Sequence, residues 1–262
     1  MNYGYKRSGQ SNLAPTFNAE APKILSLGVA NSSDNYEIPF DIKPFDQGQV
    51  ESCVANSTIM SLMIAQYIQN PANVETLSRL FLYWNVRLFD GTETQNTGAY
   101  IHNAFRSLMD QGCCREDLFP YDSTKIFTAP PIMSYKEGND NKITSFYQIA
   151  SSGNQRVADI CAALKSNHPI VFGTTIGNAL ESYDGSANTV LSLPTDNQGA
   201  HAMCCVGYKT LSDGTKAFKI RNSWGSWGIG GEGFFWMSQS WMASNETSDI
   251  FVPTLIPNLL QE

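Results

Sequence analysis

The stretch from 46 to 57, DQGQVESCVANS, sets a cysteine between a glycine-bearing turn and an apolar, helix-like run. Cys53 reads in two ways. A free thiol is a small hydrophobe that packs well in any core. A cysteine at a helix N-terminus instead sits where partial positive charge and unbonded N–H groups favour the thiolate. Downstream, CVANSTIMSLMIAQYIQNP continues as a helix, with Ile59, Met60, Met63, Ile64 and Tyr67 on one face and Pro71 as its stop. Gln47 precedes Gly48, so a turn brings its carboxamide back toward Cys53. With the Cys53 backbone N–H it makes a two-donor oxyanion hole, each donor worth ~3 kcal/mol to a tetrahedral transition state.

A thiol nucleophile needs a base, and the chain has three histidines. His102, in a third helix candidate, and His168, before Pro169 at a strand entry, read as structural. His201 opens the apolar run AHAMCCVGYKTL. That run, the turn SDGT and the run KAFKIRNSW form a hairpin folded at Asp213-Gly214. The hairpin brings Asn222 beside His201, where a side-chain oxygen fixes the imidazole tautomer and aims the other ring nitrogen outward. Trp224 follows closely enough to keep water off that contact.

Around these segments the chain divides by period. LSRLFLYWNVRLFDG and TGAYIHNAFRSLMDQG are further helix candidates, the second with Ile101, Phe105, Leu108 and Met109 in register and Gly112 beyond its end. FTAPPIMSY reads as a Pro-rich crossover, NQRVADICAALKSN as a short helix, HPIVFGTTI and EGFFWMS as strands. A helical first half and a mainly sheet second half give an α+β class with a cleft between the parts. The expected divisions are an arm over residues 1–36, a helical part over 37–140 carrying Cys53, and a β part over 141–262 carrying His201 and Asn222.

Composition narrows the function classes. With 262 residues, 42% hydrophobic and 11% aromatic, the chain is long and apolar enough for a sizeable core. A net charge of −7 argues against a nucleic-acid footprint. No apolar run reaches the ~18 residues of a membrane span, so neither nucleic acid nor membrane is an expected partner. MNYGYKRSGQSNLAPTF has no apolar middle of a signal peptide, which leaves a cytoplasmic protein, or one released by a non-classical route, as the expectation. The six cysteines include two adjacent pairs, Cys113-Cys114 and Cys204-Cys205, and no C-x-x-C. That spacing predicts no metal and no cofactor.

DQGQVESCVANS, GAHAMCCVGY and KIRNSWGSWG, in this order, resemble the signature segments of papain-like cysteine peptidases, most closely those of the bacterial and viral branch. TGAYIHNAFRSLMDQGCCREDLFPYD resembles the intervening part of that family. The likeness runs from about Ile38 to about Phe251. His201 falls about 150 residues after Cys53, within the family's range of roughly 130–150, and Asn222 lies somewhat beyond it. The resemblance implies a two-part fold, with a helical left domain, a β-barrel-like right domain and the active site between them. It implies Cys53 as nucleophile, His201 as acid and base, Asn222 as its orienter, Gln47 in the oxyanion hole and Trp224 as a shield. It also implies Gly98 as a flat wall for the substrate backbone. Ala99, Tyr100, Gly199 and Ala200 would line the pocket for the side chain two before the scissile bond, expected to take Leu, Val or Phe.

Departures are few. Val54 follows the cysteine where the family carries an aromatic. Val50 and Glu51 replace a cysteine and a glycine, so the family's loop disulfide is absent. NSWGSWG is one residue shorter than the usual segment, which leaves Trp227 without an assigned role.

The function expected is a thiol endopeptidase acting on peptides or proteins. The alternatives are an acyl transferase or deamidase with the same triad, and a non-catalytic binding protein on the same fold. The arm shows no helical face. Tyr3, Tyr5, Phe17, Ile24 and Leu25 are scattered apolar anchors. They suit an extended strap across the cleft, an intramolecular ligand that competes with substrate.

Overall fold

The computed structural model describes residues 3–9, 13–16 and 35–254. The elements are β1 (Tyr36–Glu37), α1 (Cys53–Gln69), α2 (Arg79–Phe89), α3 (Ile101–Asp110), α4 (Ile132–Gly138), β2 (Ser145–Gln148), α5 (Gly153–Lys165), β3 (Ile170–Ile176), α6 (Asn178–Glu181), β4 (Val190–Leu191), β5 (Gly199–Thr210), β6 (Lys216–Arg221), β7 (Phe234–Ser238), α7 (Gln239–Ala243) and β8 (Thr247–Thr254).

Helices α1 to α3 pack on one another around Phe81, Phe105 and Leu108. Local chemistry sets their ends. Ser78 caps α2 by accepting from the Phe81 N–H at 3.0 Å. Gly112 takes φ 69° just past α3, where a side chain would also strike the Gly138 carbonyl.

The second half is an eight-stranded sheet in the order β2-β8-β3-β5-β6-β7-β4, with β1 also on β5. All pairings are antiparallel except β4 with β7. The β5–β6 hairpin folds where the sequence places it, with Asp213 Oδ1 accepting from the Thr215 N–H at 2.9 Å. A second core, containing Ile160, Phe172, Tyr208, Phe218 and Phe235, lies on this side. Phe105 of α3 stacks on Phe146 at 5.2 Å and touches Phe251 at 5.9 Å, joining helices to sheet.

Helix α1 belongs to both cores. Met60 and Ile64 face one, while Cys53, Val54, Ile59 and Met63 face the other. The single apolar face expected of it is therefore wrong: every residue from Cys53 to Ile64 is buried. Its polar members survive there by bonding inside the helix. Asn56 Nδ2 donates to the Ser52 carbonyl at 2.9 Å, and Ser57 Oγ to the Cys53 carbonyl at 2.8 Å.

Two further expectations change. The end of the stretch taken as crossover, residues 132–135, opens α4 (Ile132–Gly138), with Pro131 as its N-cap; a proline is compatible with a helix start. The division near residue 37 also shifts. Tyr36–Glu37 pairs with Tyr208 and Gly207 of β5, and Ile38 packs in the sheet-side core. Backbone pairing assigns this segment to the sheet, against the helical part drawn from 37. The anchors Phe17, Ile24 and Leu25 lie outside the described residues.

Candidate active site

Gly48 at φ 58° turns the chain so that Gln47 and Ser52 come together under Tyr121. The Tyr121 hydroxyl lies 3.0 Å from the Gln47 carbonyl and 2.5 Å from Ser52 Oγ. Arg79 lies over the Tyr121 ring and holds Glu116 at 2.9 Å, fixing Tyr121 in turn. This clamp presents Cys53 as the first residue of α1, fully buried.

The opposite wall is the β5–β6 ladder. Cys204 opposes Arg221, so His201 near the start of β5 lies across from Asn222, just past β6. His201 Nε2 is 2.8 Å from Asn222 Oδ1, and Nδ1 has no hydrogen-bond partner. The next residue, Ala202, donates its N–H to Cys53 Sγ at 3.3 Å, which brings the two walls into contact. Trp224 stacks on the imidazole at 5.2 Å with 27° between the planes. Trp227, left without a role above, packs edge-on against Trp224 at 5.0 Å.

Gln47 is buried beside them. Its Oε1 accepts from Ser223 Oγ at 2.7 Å and its Nε2 donates to the Val50 carbonyl at 3.0 Å. The Gln47 N–H also bonds to the Ser223 carbonyl at 2.9 Å. Ser223 is thus a positioning residue that sequence reading passed over, although it sits inside NSW. The part Tyr121 plays was missed too: its segment was noted, but its partners Gln47 and Ser52 are remote in sequence.

The arm lies in the cleft. Gly4 packs against the Glu51 backbone just before Cys53, close enough for its N–H to hold the Cys53 thiol pKa down. Tyr5 pairs with Ala99 in parallel sense: the Ala99 N–H bonds to the Gly4 carbonyl at 2.9 Å, and the Lys6 N–H to the Ala99 carbonyl at 2.8 Å. Gly98 allows this approach, because a Cβ there would come within 2.7 Å of the Gly4 carbonyl carbon. Tyr3 sits on the far side of the sulfur, 5.7 Å from His201 and 6.4 Å from Trp224 by ring centroids, with its hydroxyl on Glu181.

The pocket residues expected from sequence divide. Ala99 and Ala200 pack with the core that holds Tyr5. Gly199 faces Tyr3 instead, since a Cβ on it would meet Tyr3 Cδ2 at 2.5 Å. Tyr100 faces Lys6 and His102 rather than Tyr5. On β5 the reason is the strand pleat, which turns neighbouring positions to opposite faces, while Tyr100 is the N-cap of α3. Gly173, Ser248 and Asp249 take the missing places around Tyr5.

Burial decides the protonation states. It pushes the Cys53 thiol up to about 12, against the lowering effect of the Ala202, Gly4 and Val54 N–H groups. It pushes His201 down to about 4, partly offset by Asn222. Both groups are neutral beneath the arm. The helix-terminus argument for a thiolate is outweighed here, because removing a charge from water costs more than a few N–H dipoles return. Among the described residues no group of three or more His, Cys, Asp or Glu could hold a metal ion. All six cysteines are free, and no described helix is long and apolar enough to cross a membrane.

Comparison with known proteins agrees with this fold. A family model described as papain family cysteine protease matches residues 40–253. An uncharacterised peptidase C1-like protein of Acanthamoeba polyphaga mimivirus is 30% identical over 240 residues, covering 88% of this chain and 75% of the viral protein. Fruit bromelain of Ananas comosus is 28% identical over 165 residues, 63% of this chain and 39% of its own. Among solved structures, xylellain, a cysteine protease from Xylella fastidiosa, superposes with a TM-score of 0.81 at 25% identity, covering 97% of this chain and 96% of that one. With this match and this fold, the chain belongs to the papain family of cysteine proteases and is a thiol hydrolase.

Proposed function

We propose that the chain is an endopeptidase working through Cys53, His201 and Asn222, and that its own residues 3–9 hold it dormant. The observation that carries the proposal is the seat of the arm. Gly4 lies on the Cys53 sulfur and Tyr5 pairs with Ala99, where a substrate backbone would run. The Gly4 carbonyl is held on the Ala99 N–H at 2.9 Å, so the arm occupies the site with that carbonyl engaged away from attack.

With the cleft open, water returns and the burial that keeps the pair neutral is relieved. Cys53 then passes its proton to His201 Nδ1, and the thiolate attacks a peptide carbonyl carbon. The Gln47 carboxamide and the Cys53 N–H receive the developing oxyanion. His201 protonates the leaving amine, giving a thioester. It next takes a proton from water, whose oxygen attacks the thioester and releases the acid and Cys53. Asn222 holds the ring through Nε2 so that Nδ1 stays toward the sulfur.

The test uses the full chain with Gly4→Ala, whose added Cβ would meet the Glu51 carbonyl oxygen at 1.8 Å and so lift the arm. Peptide hydrolysis and alkylation of Cys53 by iodoacetamide, located by mass spectrometry, should both rise at least about tenfold over the parent. Adding Cys53→Ala should end hydrolysis. Hydrolysis that survives Cys53→Ala would remove the triad from the proposal. An unchanged alkylation rate in Gly4→Ala would remove the restraint by the arm.

A further inference from the structure

Ser248 and Asp249 lie on β8, apart from the segments that carry Cys53, His201 and Asn222. The Tyr5 ring ends against Gly173, where a Cβ would come within 2.1 Å of Tyr5 Cζ. Its hydroxyl is 2.6 Å from Asp249 Oδ2 and 2.7 Å from Ser248 Oγ. The Asp249 carboxylate only accepts, so the phenol hydrogen goes to it and the Ser248 hydroxyl donates to the phenol oxygen, while Arg7 Nε donates to Ser248 Oγ at 3.0 Å. A hydroxyl both gives and accepts a hydrogen bond, and this pair of groups uses both capacities. A bare phenyl ring meets neither group, and an ammonium cannot accept from Ser248.

Asp249 is built for this place. It is 7% exposed and adopts φ 50°, one of two non-glycine residues with positive φ among those described. Aspartate is among the few side chains that tolerate that region, and strain of this kind gathers at functional sites. The pairing of β3 with β8 shifts register between Val171 and Gly173, beside this turn. The hydrogen bonds that the Asp249 carboxylate accepts come from the arm: the Tyr5 hydroxyl, the Ser8 N–H at 2.9 Å, and Ser8 Oγ. Among the described residues no lysine or arginine forms an ion pair with it. When the arm leaves, the Asp249 carboxylate loses these donors to water, and a substrate hydroxyl can take their place.

We infer that this pocket selects tyrosine at the substrate residue second before the scissile bond, with Asp249 accepting from its hydroxyl and Ser248 donating to it. The inference rests on the reading that the arm lies where substrate lies. Gly4 is at the sulfur, so the pocket of the neighbouring residue receives the side chain one step further from the cut. Phenylalanine, expected from sequence, fills the apolar length and leaves both polar groups unmatched. A site that hydrogen-bonds a hydroxyl rejects the analogue lacking it far more strongly than an apolar pocket rejects a missing methylene.

The experiment uses the full chain carrying Gly4→Ala and matched fluorogenic peptides that differ only in that residue: Tyr, Phe, Leu or Lys. The Tyr peptide should exceed the Phe peptide in kcat/KM by about 10- to 100-fold, the range of a hydrogen bond to a charged group. Adding Asp249→Gly, which suits φ 50°, should bring that ratio to about one. A Phe or Leu peptide cut as fast as the Tyr peptide overturns the inference. So does Lys as the best residue, which would give the pocket to a cation, or a Tyr/Phe ratio that survives Asp249→Gly. Iodoacetamide has no side chain for the pocket and reports on Cys53 alone. Alkylation of Cys53 with a flat peptide profile defeats only the pocket. No alkylation and no cleavage defeats the proposed function, and the pocket assignment with it.

Discussion

The two walls of the cleft place their reactive groups by different means. On the helical wall, Cys53 is set mainly by neighbours in sequence, the Gly48 turn, Ser52 before the helix and α1 itself, with Tyr121 and Arg79 as the remote clamp. Asn56, Ser57 and Ser61 bond within or just before the same helix, though Thr58 Oγ1 finds no partner. On the sheet wall, His201 and Asn222 come from separate strands and meet through the β5–β6 register. His201 Nδ1, Asn222 Nδ2 and Trp224 Nε1 are all buried there without hydrogen-bond partners. The helical wall combines a local turn with a remote tyrosine clamp; the sheet wall is assembled wholly at a distance and leaves three polar atoms unmatched next to the sulfur.

Four measurements press on this contrast. The largest effect is expected from Cys53→Ala in the Gly4→Ala background, a loss of at least about 10⁴-fold in kcat. Melting should move little, because the helix keeps its polar bonds. A large drop in Tm would mean that the sulfur mainly fills space.

The second concerns acid. The folded His201 pKa of about 4 lies below its ordinary 6.5, so the unfolded chain binds more protons between those values. Its contribution is present above pH 6.5 and is lost as pH falls toward 4, amounting to roughly 3 kcal/mol. Urea unfolding of the parent chain at pH 7 and pH 4 should show this loss, and His201→Ala should lack it. Equal acid sensitivity in both chains would assign the loss to other groups.

Third, Asn222→Ala in the Gly4→Ala chain should lower kcat by roughly 10- to 100-fold with little change in KM, since it orients the base without exchanging protons. A pure rise in KM would point to substrate binding. The smallest effect belongs to Ser57→Ala. Its hydroxyl bonds only to carbonyls of its own helix, at 2.8 and 3.2 Å, and alanine favours helix. Stability should change by less than about 1 kcal/mol by thermal melting. A loss of several kcal/mol would show that this hydroxyl does more than bond its own helix.

Elements were legible from sequence where one local rule governs them. The Asp213-Gly214 hairpin, the helix after Cys53 and the strand HPIVFGTTI follow from turn chemistry and period. Others were hidden. Proline ahead of Ile132–Gly138 suggested a crossover and instead starts α4. Helix α1 lies between two cores, so a one-sided pattern was the wrong expectation. Tyr36–Glu37 is too short for any periodicity to show, and only pairing with β5 assigns it.

Sequence by itself determined the chemistry of this protein: which side chains carry a thiol, an imidazole and a carboxamide, and the local turns and helix that set Cys53 in place. Tertiary structure decided how those groups are used. The pairing of β5 with β6 sets His201 against Asn222, and the pleat turns Gly199 toward Tyr3. A register shift beside β8 puts Asp249 under Tyr5, and the arm covers the sulfur. These depend on contacts between residues far apart in the chain. A strand's period says which residues share a face, while the partner across that face is fixed only when the whole core closes.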